Sequence, residues 1–361
     1  MTTVQTTVDR PQTAGEHLIY SVTTTGHRQS YLDTLSAIFA LQPVSGPMNF
    51  TLFRRLVAAE RLLFAMLDED MVSFGAIAGA RSLLGRPTAA LFLRAQKCFE
   101  TGRWFYPLKR HAFRVLRSLP RLTVASITPF DVAPRHAEVA HCGVFDPQYW
   151  DLHDGETLRR PGNTRLSEEV VARAAGRSVL CAIGTLSSNK GLGFLAETLE
   201  RYPRINEYVL IVGAGSVPSE ATRIVAQLKG VEALIVDRFI SDAELESLYG
   251  IADMVWACYS PDYDQASGVF GRAVQFGAEP ITRLGSVIAA FAKLNGINHI
   301  PVAYGQHEAL AGLLMRHFTH SEPSKRLLQN DRAQLIAGWR RQFIDRIGAG
   351  ISGSGFIRGK M

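Results

Sequence analysis

Short apolar runs of strand length alternate with helix-like stretches from about residue 16 to 318, the pattern expected of parallel strands joined by helices that cover the sheet. In the first half, residues 16–23 read as a strand, 29–42 as a helix, and 88–95 and 122–128 as further strands. The alternation lapses over 148–165, where the chain turns polar and rich in Asp, Gly, Arg and Pro, as a connection between domains should. It then restarts with strand 178–184, helix 190–202, strand 208–213, helix 218–229 and strand 233–237. Ser241 and Glu244 have the spacing of a capping box, in which hydroxyl and carboxylate each satisfy a backbone N–H at a helix start, so a helix over 242–250 follows. A strand at 253–259 and a helix at 267–278 continue the series. The expected division is residues 1–160 as one doubly wound α/β domain, 161–330 as a second, and 331–361 as a helix and tail placed to cross back to the first.

A chain of 361 residues exceeds the usual size of one hydrophobic core, in keeping with two domains. Hydrophobic content of 47% with 20% charged residues excludes a largely disordered chain. Cys98, Cys142, Cys181 and Cys258 are far apart and lie in or beside apolar runs, so they read as buried thiols in a reducing compartment, not as a disulfide frame or zinc site. The first fifteen residues lack a basic segment followed by an apolar core, and a cytoplasmic address is expected. Apolar stretches such as 62–67 and 288–292 fall well short of the roughly 20 residues that span a bilayer. A net charge of +6 and a pI near 9.2 point to an anionic partner: a nucleotide diphosphate, a phosphate-bearing lipid surface or nucleic acid.

Ligands of open α/β sheets bind at the carboxyl ends of the strands, where helix N-termini present unpaired N–H groups to phosphate. Gly184-Thr-Leu-Ser-Ser-Asn-Lys190-Gly191 joins a strand to a helix and carries a lysine at the helix start, which reads either as a diphosphate clamp or as a turn with a solvated lysine. Ile211-Val-Gly-Ala-Gly215 is a tight turn after a strand, and the third glycine of a dinucleotide motif falls on Pro218. The polar loop from Tyr259 to Gln265 runs into Ser267-Gly268-Val269 at the start of a helix that ends near Gly277.

Taken in order, Gly184 with Lys190-Gly191, Val212-Gly-Ala-Gly215, Ser241 to Tyr249, Ala252-Asp253 and Ser267-Gly268 up to Gly277 resemble the donor domain of retaining GT-B glycosyltransferases, family 4 in particular, over about residues 178–290. The resemblance implies two Rossmann-like doubly wound α/β domains facing a cleft, a nucleotide diphosphate sugar as donor, and no cofactor or metal. In that family a carboxylate and, after seven residues, a glutamate frame the donor sugar, with backbone N–H groups between them. Here Asp264 stands at the first place and Arg272 at the second. Asp264 can still accept from sugar hydroxyls, whereas Arg272 can only donate, to a phosphate or to Asp264. The family's arginine after the first glycine is here Thr185, so Arg272 is the expected replacement cation. Lys190, Arg272 and the amides of Ser267, Gly268 and Val269 are then assigned to the leaving diphosphate and Asp264 to the sugar, with Gly26, Gly184 and Thr185 lining the donor.

The first half resembles the acceptor domain less specifically. Thr23-Thr-Thr-Gly26-His27-Arg28 follows the first strand, and His27, Arg28 and Arg94 are the acceptor-side candidates, the alternative being a basic surface turn. His141-Cys-Gly-Val-Phe-Asp146 resembles the loop that ends this domain. The triplets Asp68-Glu-Asp70 and Asp262-Tyr-Asp264 match the metal motif of single-domain transferases, a match short enough to arise by chance. Residues 103–121 hold six Lys or Arg and no acid, with Leu108, Ala112, Val115, Leu116 and Leu119 on one stripe, Arg110, Arg114 and Arg117 opposite, and Trp104, Phe105 and Tyr106 at the start. Such a helix either docks its basic face on anionic lipid or packs its stripe on the sheet, and both can hold. No helix-turn-helix or interleaved aromatic motif supports nucleic acid as partner. The expectation is a retaining hexosyltransferase of polysaccharide biosynthesis, acting on a glycan or lipid-linked acceptor and peripheral at the inner membrane face. The rival is a catalytically silent GT-B protein that binds sugar nucleotides.

Overall fold

The computed structural model describes residues 15–24, 27–100, 102, 104–152, 162–319 and 329–354. Two compact units partition the chain. One takes the residues up to Ser126, residues 135–143 and the chain from Ile344; the other takes 127–134 and 144–343.

The first unit holds a six-stranded parallel sheet of β1 (His17–Ser21), β2 (Gln42–Ser45), β3 (Arg61–Phe64), β4 (Thr88–Phe92), β5 (Leu122–Ser126) and β6 (Cys142–Gly143), in the order β2-β1-β3-β4-β5-β6. Its connecting helices are α1 (His27–Phe39), α2 (Phe50–Ala58), α3 (Met71–Leu83) and α4 (Phe105–Leu116). β4 and β5 are buried at every position, which is why they read as unbroken apolar runs and not as alternation. An aromatic core joins helices to sheet: Phe74 packs on Phe64 at 5.0 Å, and Phe113 on Phe92 at 4.5 Å. Arg81 is fully buried, yet its guanidinium donates to the carbonyls of Leu56 and Ala59 and to the Thr88 hydroxyl, so its donors are spent on the ends of α2 and β4.

The second unit repeats the plan with α5 (Arg165–Ala174), β7 (Ser178–Ile183), α6 (Leu192–Arg201), β8 (Val209–Ala214), α7 (Thr222–Gly230), β9 (Leu234–Val236), α8 (Asp242–Ile251), β10 (Met254–Ala257), α9 (Gly268–Phe276), β11 (Glu279–Arg283), α10 (Val287–Leu294), β12 (Ile300–Val302) and α11 (His307–Thr319). Its six strands are parallel in the order β12-β11-β10-β7-β8-β9. The order reverses between β7 and β10, the point where such sheets open a crevice at their carboxyl ends. The long helix α12 (Gln329–Ser352) is shared: Trp339 stacks on Phe145 within the second unit, and the Arg346 guanidinium donates to the Gly143 carbonyl within the first.

The capping box forms, with the Ser241 hydroxyl accepting from the Glu244 N–H and the Glu244 carboxylate from the Ser241 N–H. Two helices start later than the pattern implied. A left-handed Gly191 (φ 69°) separates a single turn at Ser188–Lys190 from α6, and a turn at Ser219–Ala221 precedes α7.

The orientation of α4 corrects the sequence reading. Of the stripe read as packing on the sheet, Leu108, Ala112 and Val115 face solvent, while Leu116 and Leu119 are half-buried, Leu116 against Gly75 of α3. Tyr106 and Phe113 fill the core instead and bring Arg110 and Arg117 to the inner side with them, since positions 106, 110, 113 and 117 share one helical face. Arg110 and Arg114 both pair with Glu138, Arg117 donates to the Ala137 carbonyl, and Lys109 lies 3.6 Å from Asp68. The aliphatic stripe pointed partly outward because the two aromatic anchors, Tyr106 and Phe113, set which face of the helix is buried.

Candidate functional site

At the carboxyl end of the second sheet, three backbone segments converge where the strand order reverses. Gly184 follows β7 with φ 91°, and a Cβ on Gly215, after β8, would lie 2.0 Å from the Gly184 carbonyl oxygen, so only glycine lets these two loops touch. A Cβ on Gly191 would meet the Cys258 carbonyl oxygen at 2.1 Å, which fixes the start of α6 directly against the end of β10. The Trp256 indole donates to the Lys190 carbonyl at 2.8 Å and the Ser260 N–H to the Asn189 carbonyl at 3.1 Å, tying the same loops together.

This framework aims Lys190 at Tyr259. The ammonium lies 4.8 Å from the ring centre, within cation–π range. The Tyr259 hydroxyl lies 2.5 Å from that of Ser267, and the Ser267 hydroxyl accepts from the Phe270 N–H as the N-cap of α9. Lysine, tyrosine and helix cap thus form one chain ending at the N-terminus of α9, where the first N–H groups have no partner within the helix and the dipole is positive. Gly268 and Gly271 let this helix seat on the residues before it, since a Cβ at either would meet Gln148 or Tyr149 below 2.3 Å. Thr185 is exposed at the rim of the first loop.

Asp264 and Arg272 both find partners that the sequence did not indicate. Asp264 accepts from the Val287 N–H at 2.9 Å, at the start of α10, and pairs with Arg283 at 3.3 Å. Arg272 donates to Asp151 at 2.6 Å, and the same carboxylate accepts from Gln275 at 3.1 Å. Asp151 is almost fully buried, so the Arg272 guanidinium serves to anchor residues 148–152 to α9. Arg283, at the carboxyl end of β11, keeps a buried Nε without a hydrogen-bond partner among the described residues. Its charge is felt by Cys258, whose thiol burial pushes up to about 12.

In the first unit, Gly26 and the His27 side chain lie outside the described residues. Arg28 pairs with Glu69, whose carboxylate also accepts from the Ser21 hydroxyl and the Val22 N–H, both at 3.2 Å, at the end of β1. Arg94 is exposed just past β4, and its N–H and that of Leu93 donate to Asp68. Burial raises the Asp68 carboxyl above the usual range against the opposing pull of Lys109. Asp70 caps α3 by accepting from the Ser73 N–H, so the carboxylates of both acidic triplets include helix or strand-end caps. Among the described residues no group of three or more His, Cys, Asp or Glu is placed to hold a metal ion.

No family model matches the sequence, and no curated protein matches it. Solved structures do match. Anabaena HepE in complex with UDP and glucose superimposes with a TM-score of 0.62 at 12% identity, over 92% of this chain and 99% of that one. A UDP-forming α,α-trehalose-phosphate synthase from Burkholderia xenovorans follows the same path with a TM-score of 0.55 at 13% identity, over 89% and 79%. An Escherichia coli trehalose-6-phosphate protein bound with UDP-2-fluoro glucose gives 0.53 at 11%, over 88% and 85%.

The fold is GT-B. At such identities the likeness carries the architecture and nothing finer. Within this GT-B chain, sequence reasoning overlooked Tyr259, Arg283 and Asp151. Arg283 had a readable signal, a lone cation ending the strand-like run Pro280-Ile-Thr and followed by a Leu-Gly-Ser turn, which is where open sheets present ligand-binding groups. Asp151 had none, because its partner lies 121 residues away.

Proposed function

We propose that this chain is a nucleotide-sugar-dependent glycosyltransferase whose second unit holds the donor diphosphate between Lys190 and the N-terminus of α9. The observation that carries the reading is the Lys190–Tyr259–Ser267 chain at the strand-order reversal, which collects a cation, a helix dipole and the amides of Gly268 and Val269 at one place. Solved structures of the same architecture that contain UDP or a UDP-sugar analogue support it. Sugar transfer asks for stabilisation of a departing diphosphate and of a cationic sugar, a task of electrostatics and positioning that these groups suit. Asp264 stands in the same loop to accept from sugar hydroxyls, with Arg283 paired to it. Arg272 contributes less charge than its position implies, since Asp151 balances it. The acceptor is a glycan or lipid-linked glycan, met on the side of Arg28 and Arg94, with the anomeric configuration retained. Four buried, unpaired thiols fit a reducing compartment and a cytoplasmic address, and no helix among the described residues is long and apolar enough to cross a membrane.

The test is a thermal-shift panel of UDP, GDP, ADP and their sugars, because a ligand of the folded state raises its melting temperature by mass action. Stabilisation by one nucleotide family supports the reading, and indifference to all of them removes it. One observation favours a second reading, a silent sugar-nucleotide-binding protein: Arg272, at the place of the second glutamate, is engaged by Asp151 and accepts nothing. Release of free sugar or transfer from the stabilising donor separates the two.

A further inference from the structure

The stretch that reads as a connection between domains brings one more polar group to the start of α9. Residues 146–152 belong to the second unit and are fastened along one face of that helix. The Gln275 carboxamide donates to the Gln148 carbonyl at 2.9 Å and accepts from the Leu152 N–H at 3.0 Å. The Tyr149 hydroxyl accepts from the Ser267 N–H at 3.4 Å, and Asp146 accepts from the Gln148 N–H at 2.9 Å. Four hydrogen bonds thus fix the backbone on either side of one side chain.

This seat sets the direction of Gln148. Its carbonyl stands level with Gly271, where an added Cβ would meet it at 2.7 Å, whereas its carboxamide oxygen stands level with Gly268, 1.9 Å from the corresponding Cβ position. The side chain therefore climbs α9 toward the N-terminus, by about 4.5 Å for three residues of helix. Glycine at 268 leaves the room that the carboxamide fills. At that end of α9 the Ser267 hydroxyl takes the Phe270 N–H and Tyr149 takes the Ser267 N–H, while the N–H groups of Gly268 and Val269 have no partner within the helix. The Gln148 carboxamide is half-buried and has no hydrogen-bond partner among the described residues. Polar groups held out of water are ordinarily paired, and this one carries two N–H donors and an acceptor.

We infer that Gln148 is a further ligand of the diphosphate, donating a carboxamide N–H to an oxygen held at the start of α9. The inference rests on the placement of that diphosphate at Lys190 and α9. A neutral carboxamide can stand beside the helix start without opposing the anion, whereas a carboxylate in the same place would suit the free helix and repel the ligand.

Gln148→Glu keeps the shape and tests this directly, with Gln148→Ala beside it. The glutamate variant should melt no lower than wild type in the free state, because a carboxylate is favourable at the positive end of the helix. In calorimetric titration with UDP, GDP and ADP, the nucleotide that wild type binds should lose about ten-fold in affinity with the alanine variant, the worth of a hydrogen bond to a charged group. It should lose more with the glutamate variant, whose charge faces the phosphates. A glutamine that only holds the backbone gives another pattern, a lower melting temperature in both variants with affinity unchanged. The inference is overturned by that pattern, or if the glutamate variant binds as tightly as the alanine variant. Both variants binding as wild type while Lys190→Met binds weakly would remove Gln148 and leave the diphosphate where it is placed. If wild type binds none of the three nucleotides, the donor reading falls and this inference with it.

Discussion

The hydroxyls of Tyr259 and Ser267 lie 2.5 Å apart, so the loop leaving β10 and the cap of α9 are held as one piece. The Lys190 ammonium rests over the same tyrosine ring. A charge from the loop after β7 is thereby brought to the helix start after β10, across the point where the strand order reverses.

Tyr259→Phe keeps the ring under Lys190 and removes the hydroxyl. The cap loses its tether, and the Lys190 ammonium keeps the ring but loses its 3.5 Å contact with the hydroxyl. UDP affinity should fall by about three- to ten-fold, the worth of one neutral hydrogen bond, with little change in melting temperature. Calorimetric titration measures it, and an unchanged affinity would detach Tyr259 from the site.

Asp151 and Arg272 are both largely buried, so breaking the pair leaves an uncompensated charge. Asp151→Asn should destabilise the fold by about 2–4 kcal/mol in urea unfolding, and adding Arg272→Met should restore part of that loss. A single variant as stable as wild type would show that the pair anchors nothing.

His136 is buried, 2.9 Å from the Ser126 hydroxyl and stacked on Phe99, and burial lowers its pKa to about 4. The unfolded chain takes up a proton near pH 6.5 that the folded chain refuses until near pH 4. Stability from the neutral ring is thus fully present above about pH 6.5 and lost as pH falls through that window, on the order of 3 kcal/mol in all. His136→Asn should flatten this part of the acid dependence in urea titrations at pH 7 and 4.5; identical pH slopes in the two proteins would refute the assignment.

Much of this was legible in the chain because strands buried on both faces leave continuous apolar runs: Ser178–Ile183 and Val209–Ala214 stand out, as does the box formed by Ser241 and Glu244. The two-residue β6 is too short to show a period, whereas the three-residue β9 falls within the strand read at 233–237. The loops of the site were found because strand ends in such sheets are where ligands bind, and Lys190 and Ser267 follow from that rule alone. Partner choice was not legible. Whether Arg272 meets Asp264 or Asp151, and whether Leu108 or Phe113 enters the core, is decided by packing between segments far apart in sequence.

The most direct measurement is calorimetric binding of UDP to wild type and to Lys190→Met, which keeps an unbranched apolar stem and removes the charge. Loss of a charge-assisted contact of about 1.5–3 kcal/mol predicts a Kd raised by roughly 10- to 100-fold, at an unchanged melting temperature of the free protein. Equal affinity in the two proteins, with wild type binding UDP well, would contradict the placement of the diphosphate at Lys190 and the start of α9.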